Sequence, residues 1–362
     1  MHRRQPLPAD FMRLSEEEST DRIARVRRDL RDRVVILGHH YQRESVIRFA
    51  DFRGDSLKLA QLAVSRSDAA FIVFCGVHFM AESADMLRAP HQKVILPDLT
   101  AGCPMADMAD LPRAERCWAE LNRAAVWPVI PITYINSSAR IKAFTGRHGG
   151  IVCTSSNARA ILEWAFRQAP RILFLPDQHL GRNTARAMGI PPEEILVWDP
   201  DQPQGGHSTE ALRRARVLLW KGHCYVHQMF KISHVRHFQN QDPPYTILVH
   251  PECAADVVQA ADMAGSTGFI VETIRQSAPG SRWAIGTEIH LVERLAREYP
   301  DRTIVPLTRF GAVCATMSRI DPPHLLWVLE AIAAGSPVNV IRVPEEDARD
   351  ARLALQRMLD HS

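Results

Sequence analysis

Residues 33–42 read RVVILGHHYQ, a run of aliphatic residues that ends in polar side chains. The same pattern returns in PVIPITYINSS (128–138) and in YTILVHPEC (245–253). Each run is followed by a segment with small hydroxyl residues and then by a stretch with helical periodicity. Short apolar runs that alternate with helical stretches predict βαβ units around parallel sheets. The three stretches therefore predict an α/β fold with an internal repeat.

Two further landmarks recur in the same order. A second apolar run ends in a histidine, and a third ends in a cysteine. The histidines are His78, His179 and His290, and the cysteines are Cys103, Cys224 and Cys314. The separation between the two landmarks is longest in the second repeat, where residues 188–208 are rich in Pro, Gly and Asp. This composition predicts an insertion of about twenty residues there.

The repeat predicts three homologous three-layer αβα units with short parallel sheets, arranged in pseudo-threefold symmetry around a central active site. Ligands of open α/β sheets bind at the carboxyl ends of the strands, where the polar residues of this chain collect. The predicted boundaries are an N-terminal helical extension (1–33), unit 1 (34–103, completed by 315–362), unit 2 (104–223, with the insertion near 188–208) and unit 3 (224–314).

Composition excludes several classes of protein. The formal net charge of +3 over 362 residues does not favour nucleic acid or an anionic membrane as a partner. No apolar run approaches the ~20 residues of a membrane span. The N-terminus lacks the apolar core of a signal peptide, and Asp10 and Glu16–Glu18 argue against a transit peptide. These features predict a cytoplasmic location.

Seven scattered cysteines do not suggest a disulfide framework, and the chain has no C-x-x-C motif. The recurring Cys103, Cys224 and Cys314 could together hold either a [4Fe–4S] cluster with one open iron or a zinc ion. The remaining four are expected to be buried, as cysteines without a ligand role usually are. Cys253 is also a less favoured candidate for a fourth ligand, because a fourth protein ligand would close the site. These four are Cys75, Cys117, Cys153 and Cys253.

Strand-end residues supply the groups that acid–base chemistry needs. They are His39, Tyr41, Tyr134, Asn136, His250 and Glu252. Isolated polar residues at strand ends are often structural, but recurrence at the same point of three repeats indicates a site. The hydroxyl segments are expected to open helices, whose N-terminal N–H groups suit an anionic ligand. Each landmark histidine stands before a further helical stretch, and a role in capping or packing that helix is expected of it.

The ordered motifs of the chain resemble the quinolinate synthase family, in its long-chain subgroup. The similarity runs from about residue 33 to about residue 330. It rests on HHYQ, GDSLKLA, FCGVHFMAE, AGCPMAD, YINSSARIKA, CTSSNA, LPDQHLGRNTA, CYVHQMF, VHPEC, GSTGFI, GTEIHLVERL and CATMSRID.

The resemblance implies an enzyme of NAD biosynthesis that condenses iminoaspartate with dihydroxyacetone phosphate to quinolinate, phosphate and two waters. It also implies a [4Fe–4S] cluster with an open iron as Lewis acid, held by Cys103 of AGCPMA, Cys224 of CYVH and Cys314 of CATM. Functional coupling to L-aspartate oxidase follows from the same resemblance.

The resemblance further implies a set of substrate-binding residues, of which Tyr134 and Glu252, together with Tyr41, would be catalytic. The set is His39, Ser56, Tyr134, Ile135, Asn136, Ser155, His227, His250, Pro251, Glu252 and Thr267. His40 lies where other members often carry a different residue, and no function is attached to it.

Two other functions fit part of the pattern. A cluster- or zinc-dependent dehydratase of a small hydroxy acid would need the same cysteines, and only substrate assays separate it from a quinolinate synthase. A non-enzymatic iron–sulfur sensor would not need the paired Tyr134/Asn136 and His250/Glu252 sets. Those sets favour an enzyme.

Overall fold

The computed structural model describes residues 5–66 and 68–361. Within these residues the chain forms an α/β fold with three sheets in which every strand pair is parallel. This architecture confirms the predicted fold class of three αβα units with short parallel sheets. Residues 1–4 of the predicted N-terminal extension lie outside the described residues.

The strands follow the three repeats. The first sheet contains β1 (Val34–His39), β2 (Phe52–Gly54), β3 (Phe71–Cys75) and β4 (Lys93–Ile95). The second contains β5 (Val129–Tyr134), β6 (Ile151–Cys153), β7 (Arg171–Leu175), β8 (Ile195–Trp198) and β9 (Val217–Trp220). The third contains β10 (Thr246–Val249), β11 (Met263–Ala264), β12 (Arg282–Gly286) and β13 (Thr303–Pro306).

All three sheets have the same strand order. The first is β2-β1-β3-β4 and the third is β11-β10-β12-β13. The second, β6-β5-β7-β9-β8, repeats this order and adds β8 at one edge. The added strand lies within the predicted insertion. Trp198 of β8 is buried against the core of this sheet, so the inserted segment is an integral part of it.

Helices connect the strands throughout. They are α1 (Ala9–Met12), α2 (Glu16–Leu30), α3 (Glu44–Ile47), α4 (Ser56–Ser65), α5 (His78–Leu87), α6 (Pro104–Asp107), α7 (Leu111–Arg123), α8 (Ala139–Arg147), α9 (Ala158–Gln168), α10 (Gln178–Ala187), α11 (Thr209–Arg214), α12 (Ile232–Gln239), α13 (Ala255–Ala260), α14 (Thr267–Gln276), α15 (Ile289–Glu298), α16 (Pro322–Ala333) and α17 (Glu345–Asp360). None of these helices is both long enough and apolar enough to cross a membrane.

Strand register carries the polar tips and the hydroxyl segments to one edge of each sheet. At the end of the ladder, His39 pairs with Gly54, Tyr134 with Cys153, and Val249 with Ala264. The next residues along each short partner strand are the hydroxyl segments that begin near positions 55, 154 and 265. Because the strands are parallel, both features leave the sheet at its carboxyl edge.

The chain forms two compact units. The first consists of residues 1–103, 288–294 and 313–343 and contains the first sheet. In it, α2 begins with a capping box formed by Ser15 and Glu18, and its apolar face is buried. An ion pair of 2.6 Å between Arg22 and Glu330 connects α2 to α16.

The second unit consists of residues 104–287, 295–312 and 344–362 and contains the other two sheets. In it, α17 packs on α8, and a Cβ atom at Gly146 would collide with the carbonyl oxygen of Asp350. Glycine at this position lets the two helix backbones approach closely. The domain boundaries expected from the repeat are a finer division than these two units and stay a prediction.

Candidate functional site

In the first unit, β1 ends at the buried side chain of His39. Its Nδ1 atom accepts a hydrogen bond of 3.1 Å from the backbone N–H of Tyr41. The two rings meet edge to face, with their centroids 4.7 Å apart. Since Nδ1 is the acceptor, a neutral His39 ring carries its proton on Nε2 and can donate from there.

The third sheet repeats this arrangement at its own tip. The Nδ1 atom of buried His250 accepts a 3.3 Å hydrogen bond from the backbone N–H of Glu252. Burial, followed by the charge of His227, lowers the pKa of His250 to about 3, although Glu252 acts in the opposite direction. His250 is therefore neutral near pH 7, with Nε2–H available as a donor.

Glu252 is the centre of a buried hydrogen-bonded group in the second unit. The Tyr134 hydroxyl donates to its Oε1 atom over 2.6 Å, and Nδ1 of His227 lies 3.0 Å from its Oε2 atom. The rings of His227 and His250 stack with a centroid separation of 4.5 Å. The repeat segments that contain Tyr134 and Glu252 are thus brought together, as their strand-end positions suggested.

The surroundings of Glu252 keep its carboxylate charged. Burial alone would raise its pKa, but electrostatic interaction with His227 and hydrogen bonds from His227 and Tyr134 more than offset burial. The net effect lowers the pKa of Glu252 to about 2. A buried carboxylate that is ionised near pH 7 can accept a proton from a bound reactant.

The turn that carries Glu252 has its backbone carbonyls held by two side-chain amides. Asn183 of α10 donates to the carbonyls of Pro251 and Cys253, each over 2.8 Å. Gln228 donates to the carbonyl of Glu252 over 2.9 Å. Sequence reasoning did not identify Asn183 or Gln228, because an amide that serves a distant carbonyl leaves no local pattern.

The turn after β5 also has an internal support. The ammonium group of fully buried Lys142 donates to the carbonyl of Ile135 over 2.8 Å and to that of Ser137. Between them, Asn136 has a buried Oδ1 atom without a hydrogen-bond partner among the described residues. An unsatisfied buried oxygen beside Tyr134 is what a substrate-binding amide presents before its ligand arrives.

The hydroxyl residues differ in their relation to the helices. Ser56 and Thr267 are the first residues of α4 and α14, whereas the N-caps are Asp55 and Ser266. Ser155 was expected to open a helix, but α9 begins only at Ala158. The reason is local, because Asn157 accepts the backbone N–H of Thr154 over 2.7 Å and forms a separate turn.

The seven cysteines fall into two groups by burial. The three landmark cysteines, Cys103, Cys224 and Cys314, are partly exposed. The other four are buried, and burial raises the pKa of each thiol, to about 12 in Cys75. A thiolate is the form that binds metal, so this contrast favours the landmark group as ligands.

Each landmark cysteine lies at the start of a helical turn. Cys103 directly precedes α6. The carbonyl of Cys224 accepts from the N–H of Gln228 over 3.1 Å, and the carbonyl of Cys314 accepts from the N–H of Ser318 over 3.0 Å. In addition, Cys224, His227 and Glu252 each offer a possible ligand atom, and these three atoms lie within 4.8 Å of one another.

Two fully buried acids, Asp177 and Glu288, lie two residues before the landmark histidines of repeats 2 and 3. Burial and the charge of Glu252 raise the pKa of Asp177 well above its ordinary value, against backbone hydrogen bonds that lower it. From the sequence, only the histidines of these two motifs stand out as landmarks. The signal that could have identified the acids is their equal offset from the landmark.

The chain is similar to a known family over almost its whole length. The family model described as Quinolinate synthetase A protein matches residues 21–360. A quinolinate synthase of Anoxybacillus flavithermus is 52% identical over 359 residues, which are 99% of this chain and 98% of the relative.

Relatives in other bacteria give the same result. A quinolinate synthase of Bacillus subtilis is 50% identical over 357 residues, 98% of this chain and 96% of the relative. One from Corynebacterium glutamicum is 52% identical over 360 residues, 99% of this chain and 91% of the relative. The range matched by the family model, residues 21–360, spans the whole candidate site.

Proposed function

We infer that this chain, which belongs to the family of quinolinate synthetase A proteins, is a quinolinate synthase of NAD biosynthesis. The reaction we propose condenses iminoaspartate with dihydroxyacetone phosphate and yields quinolinate, phosphate and two waters. The observation that carries the proposal is the buried group of Tyr134, Glu252 and His227. Burying a charged group costs free energy, and buried ionisable clusters of this kind are concentrated at active sites.

We propose that iminoaspartate binds at the strand ends through hydroxyl, amide and imidazole donors. Its two carboxylates suit N–H groups at helix starts, where Ser56 and Thr267 lie, and the turn at Ser155. Nε2–H of His39 and of His250 are further donors. The complete proposed set is His39, Ser56, Tyr134, Ile135, Asn136, Ser155, His227, His250, Pro251, Glu252 and Thr267.

Proton transfer is the proposed task of Glu252, Tyr134 and Tyr41. Carbon–carbon bond formation requires removal of a proton from iminoaspartate, and loss of water requires a proton on the departing hydroxyl. Glu252 is ionised and accepts the Tyr134 hydroxyl proton in a 2.6 Å hydrogen bond, so the pair can relay a proton between them. Tyr41 lies beside His39 and is a second hydroxyl donor at a strand tip.

We propose that Cys103, Cys224 and Cys314 hold a [4Fe–4S] cluster. Three partly exposed thiols, one in each repeat and each at the start of a helical turn, fit this group, whereas the four buried thiols do not. When bound, a cluster with one iron lacking a protein ligand supplies a Lewis acid that assists the loss of water. We further propose a cytoplasmic location and functional coupling to L-aspartate oxidase, the source of the unstable iminoaspartate.

The test begins with protein prepared without oxygen. We expect about four irons and four sulfides per chain, a brown colour, and formation of quinolinate from the two proposed substrates. Replacement of Cys103, Cys224 or Cys314 by serine should abolish the cluster. The matched control is Cys253→Ser, which removes a buried thiol next to Glu252 and should keep the cluster.

Two outcomes would contradict the proposal in different ways. A cluster lost in Cys253→Ser but kept in Cys224→Ser would overturn the ligand set. Zinc in place of iron and sulfide would favour the group of Cys224, His227 and Glu252 as a mononuclear site, and with it a zinc-dependent dehydratase.

A further inference from the structure

The carboxylate of Glu288 contacts two landmark residues of the third repeat, His290 and Cys314, and all three residues belong to the first unit. Its Oε1 atom accepts the backbone N–H of Cys314 over 3.2 Å and lies 2.9 Å from Nδ1 of His290. Its Oε2 atom accepts the backbone N–H of His290 over 2.8 Å. The side chain is completely buried, so its contacts are made with protein and not with water.

Asp177 occupies the corresponding position in the second repeat, within the second unit. Its Oδ1 atom accepts the backbone N–H groups of His179 and Leu180 over 2.5 and 3.0 Å and so caps α10. Its Oδ2 atom is buried and has no hydrogen-bond partner among the described residues. A 3.0 Å hydrogen bond from the backbone N–H of Gln178 to the carbonyl of Gly222 connects this segment to the one that carries Cys224.

The first repeat achieves the connection without an acid. The backbone N–H of His78 donates directly to the carbonyl of Ala101, two residues before Cys103, over 2.7 Å. The position two residues before His78 is Gly76, which has no side chain to reach the cysteine. In all three repeats, then, the start of the histidine helix is hydrogen-bonded to the cysteine segment, and in the third repeat a buried carboxylate makes this connection to the cysteine itself.

We propose that Glu288 is a positioning residue for the metal-ligating cysteine Cys314. A carboxylate that accepts the backbone N–H of a cysteine fixes the direction of its Cα–Cβ bond and hence of its thiol. Outer-shell groups of this kind orient ligands, and their loss typically weakens metal binding 10–100-fold. This inference rests on the cluster proposed above.

The test measures how fast cluster iron passes to a chelator in anaerobic protein. Glu288→Ala should accelerate iron release by about tenfold or more. The matched control is Glu293→Ala, which removes an exposed acid from the same helix as His290.

Glu288→Gln retains an acceptor for Cys314, and its release rate should lie closer to wild type than that of Glu288→Ala. Equal rates for the two would overturn the assignment of Glu288.

If wild-type protein assembles no cluster, the proposed cofactor fails, and crystal structures of cluster-free variants decide the inference. The Cys314 backbone should move by more than about 0.5 Å in Glu288→Ala, the tolerance of a preorganised site. An unmoved backbone would overturn the positioning role.

Discussion

Glu252 shows how single side chains define the chemistry of this site. Its charge is maintained in a buried position because Tyr134 and His227 supply the interactions that water would otherwise provide. Each of these neighbours contacts one oxygen of the carboxylate and so fixes its position.

Glu252→Gln should lower turnover by roughly 10²-fold or more, the usual effect of losing an acid–base group, while the cluster remains. Glutamine has nearly the same shape but cannot accept the proton. Steady-state kinetics with iron and sulfide analysis of the same sample would test this. Wild-type turnover would remove Glu252 from the mechanism.

His40 gives a prediction about pH. Burial, followed by the charge of Arg294, lowers its pKa to about 4, and Arg294 donates to its Nδ1 atom over 3.2 Å. Between about pH 6.5 and pH 4 the unfolded chain binds a proton here and the folded chain does not. Stability therefore falls as the pH drops through this window, by about 1–2 kcal/mol from His40 at pH 5.

The measurement is the free energy of unfolding in urea at pH 7.5 and pH 5. His40→Gln keeps an acceptor for Arg294 but does not titrate, so its stability should fall less than that of wild type between the two pH values. His237→Gln changes an exposed histidine and serves as control. Equal losses in wild type and His40→Gln would contradict the prediction.

At the scale of elements, adjacent residues at a helix start have different expected roles, one in helix stability and the other in substrate binding. Ser266 caps α14 by accepting the N–H of Phe269 over 3.2 Å, whereas Thr267 begins the helix and is proposed to bind substrate. The adjacent residues therefore form a natural pair of variants. Asp55 and Ser56 form a second pair at α4.

Ser266→Ala should cost about 1 kcal/mol of stability and leave quinolinate affinity unchanged. Thr267→Val should do the reverse, with affinity about tenfold weaker and an unchanged melting temperature. Isothermal titration beside thermal melts tests both variants. Normal affinity in Thr267→Val and in Ser56→Ala would exclude these hydroxyls from substrate binding.

The sequence predicted the presence of the insertion in the second repeat but not its secondary structure. Its composition indicated additional residues, but Pro, Gly and Asp gave no indication that ILVW (195–198) would add a fifth strand. Trp198→Ala should destabilise the fold by about 3–5 kcal/mol, as removal of a buried aromatic does. The neighbouring Val197→Ala, which alters a half-buried side chain, should cost much less in the same urea titration.

At the scale of the whole molecule, the internal repeat could be predicted from the sequence because each of its landmarks is a short continuous stretch of residues. Apolar runs, tips, histidines and cysteines each occupy a short stretch of sequence, and the strand orders of the three sheets follow them. Contacts between stretches that are far apart in the sequence could not be predicted. Asn183 reaches the turn at Pro251, and Glu288 reaches Cys314, only because the fold brings those backbones together.

The division of the thiols into partly exposed and buried groups has a consequence for chemical labelling. Cluster-free native protein treated with iodoacetamide should gain three carbamidomethyl groups, at Cys103, Cys224 and Cys314. In denaturant all seven cysteines should react. The mass difference between the two samples would count the buried thiols without a crystal. Tryptic peptides that carry Cys75 or Cys153 should remain unlabelled until the chain unfolds.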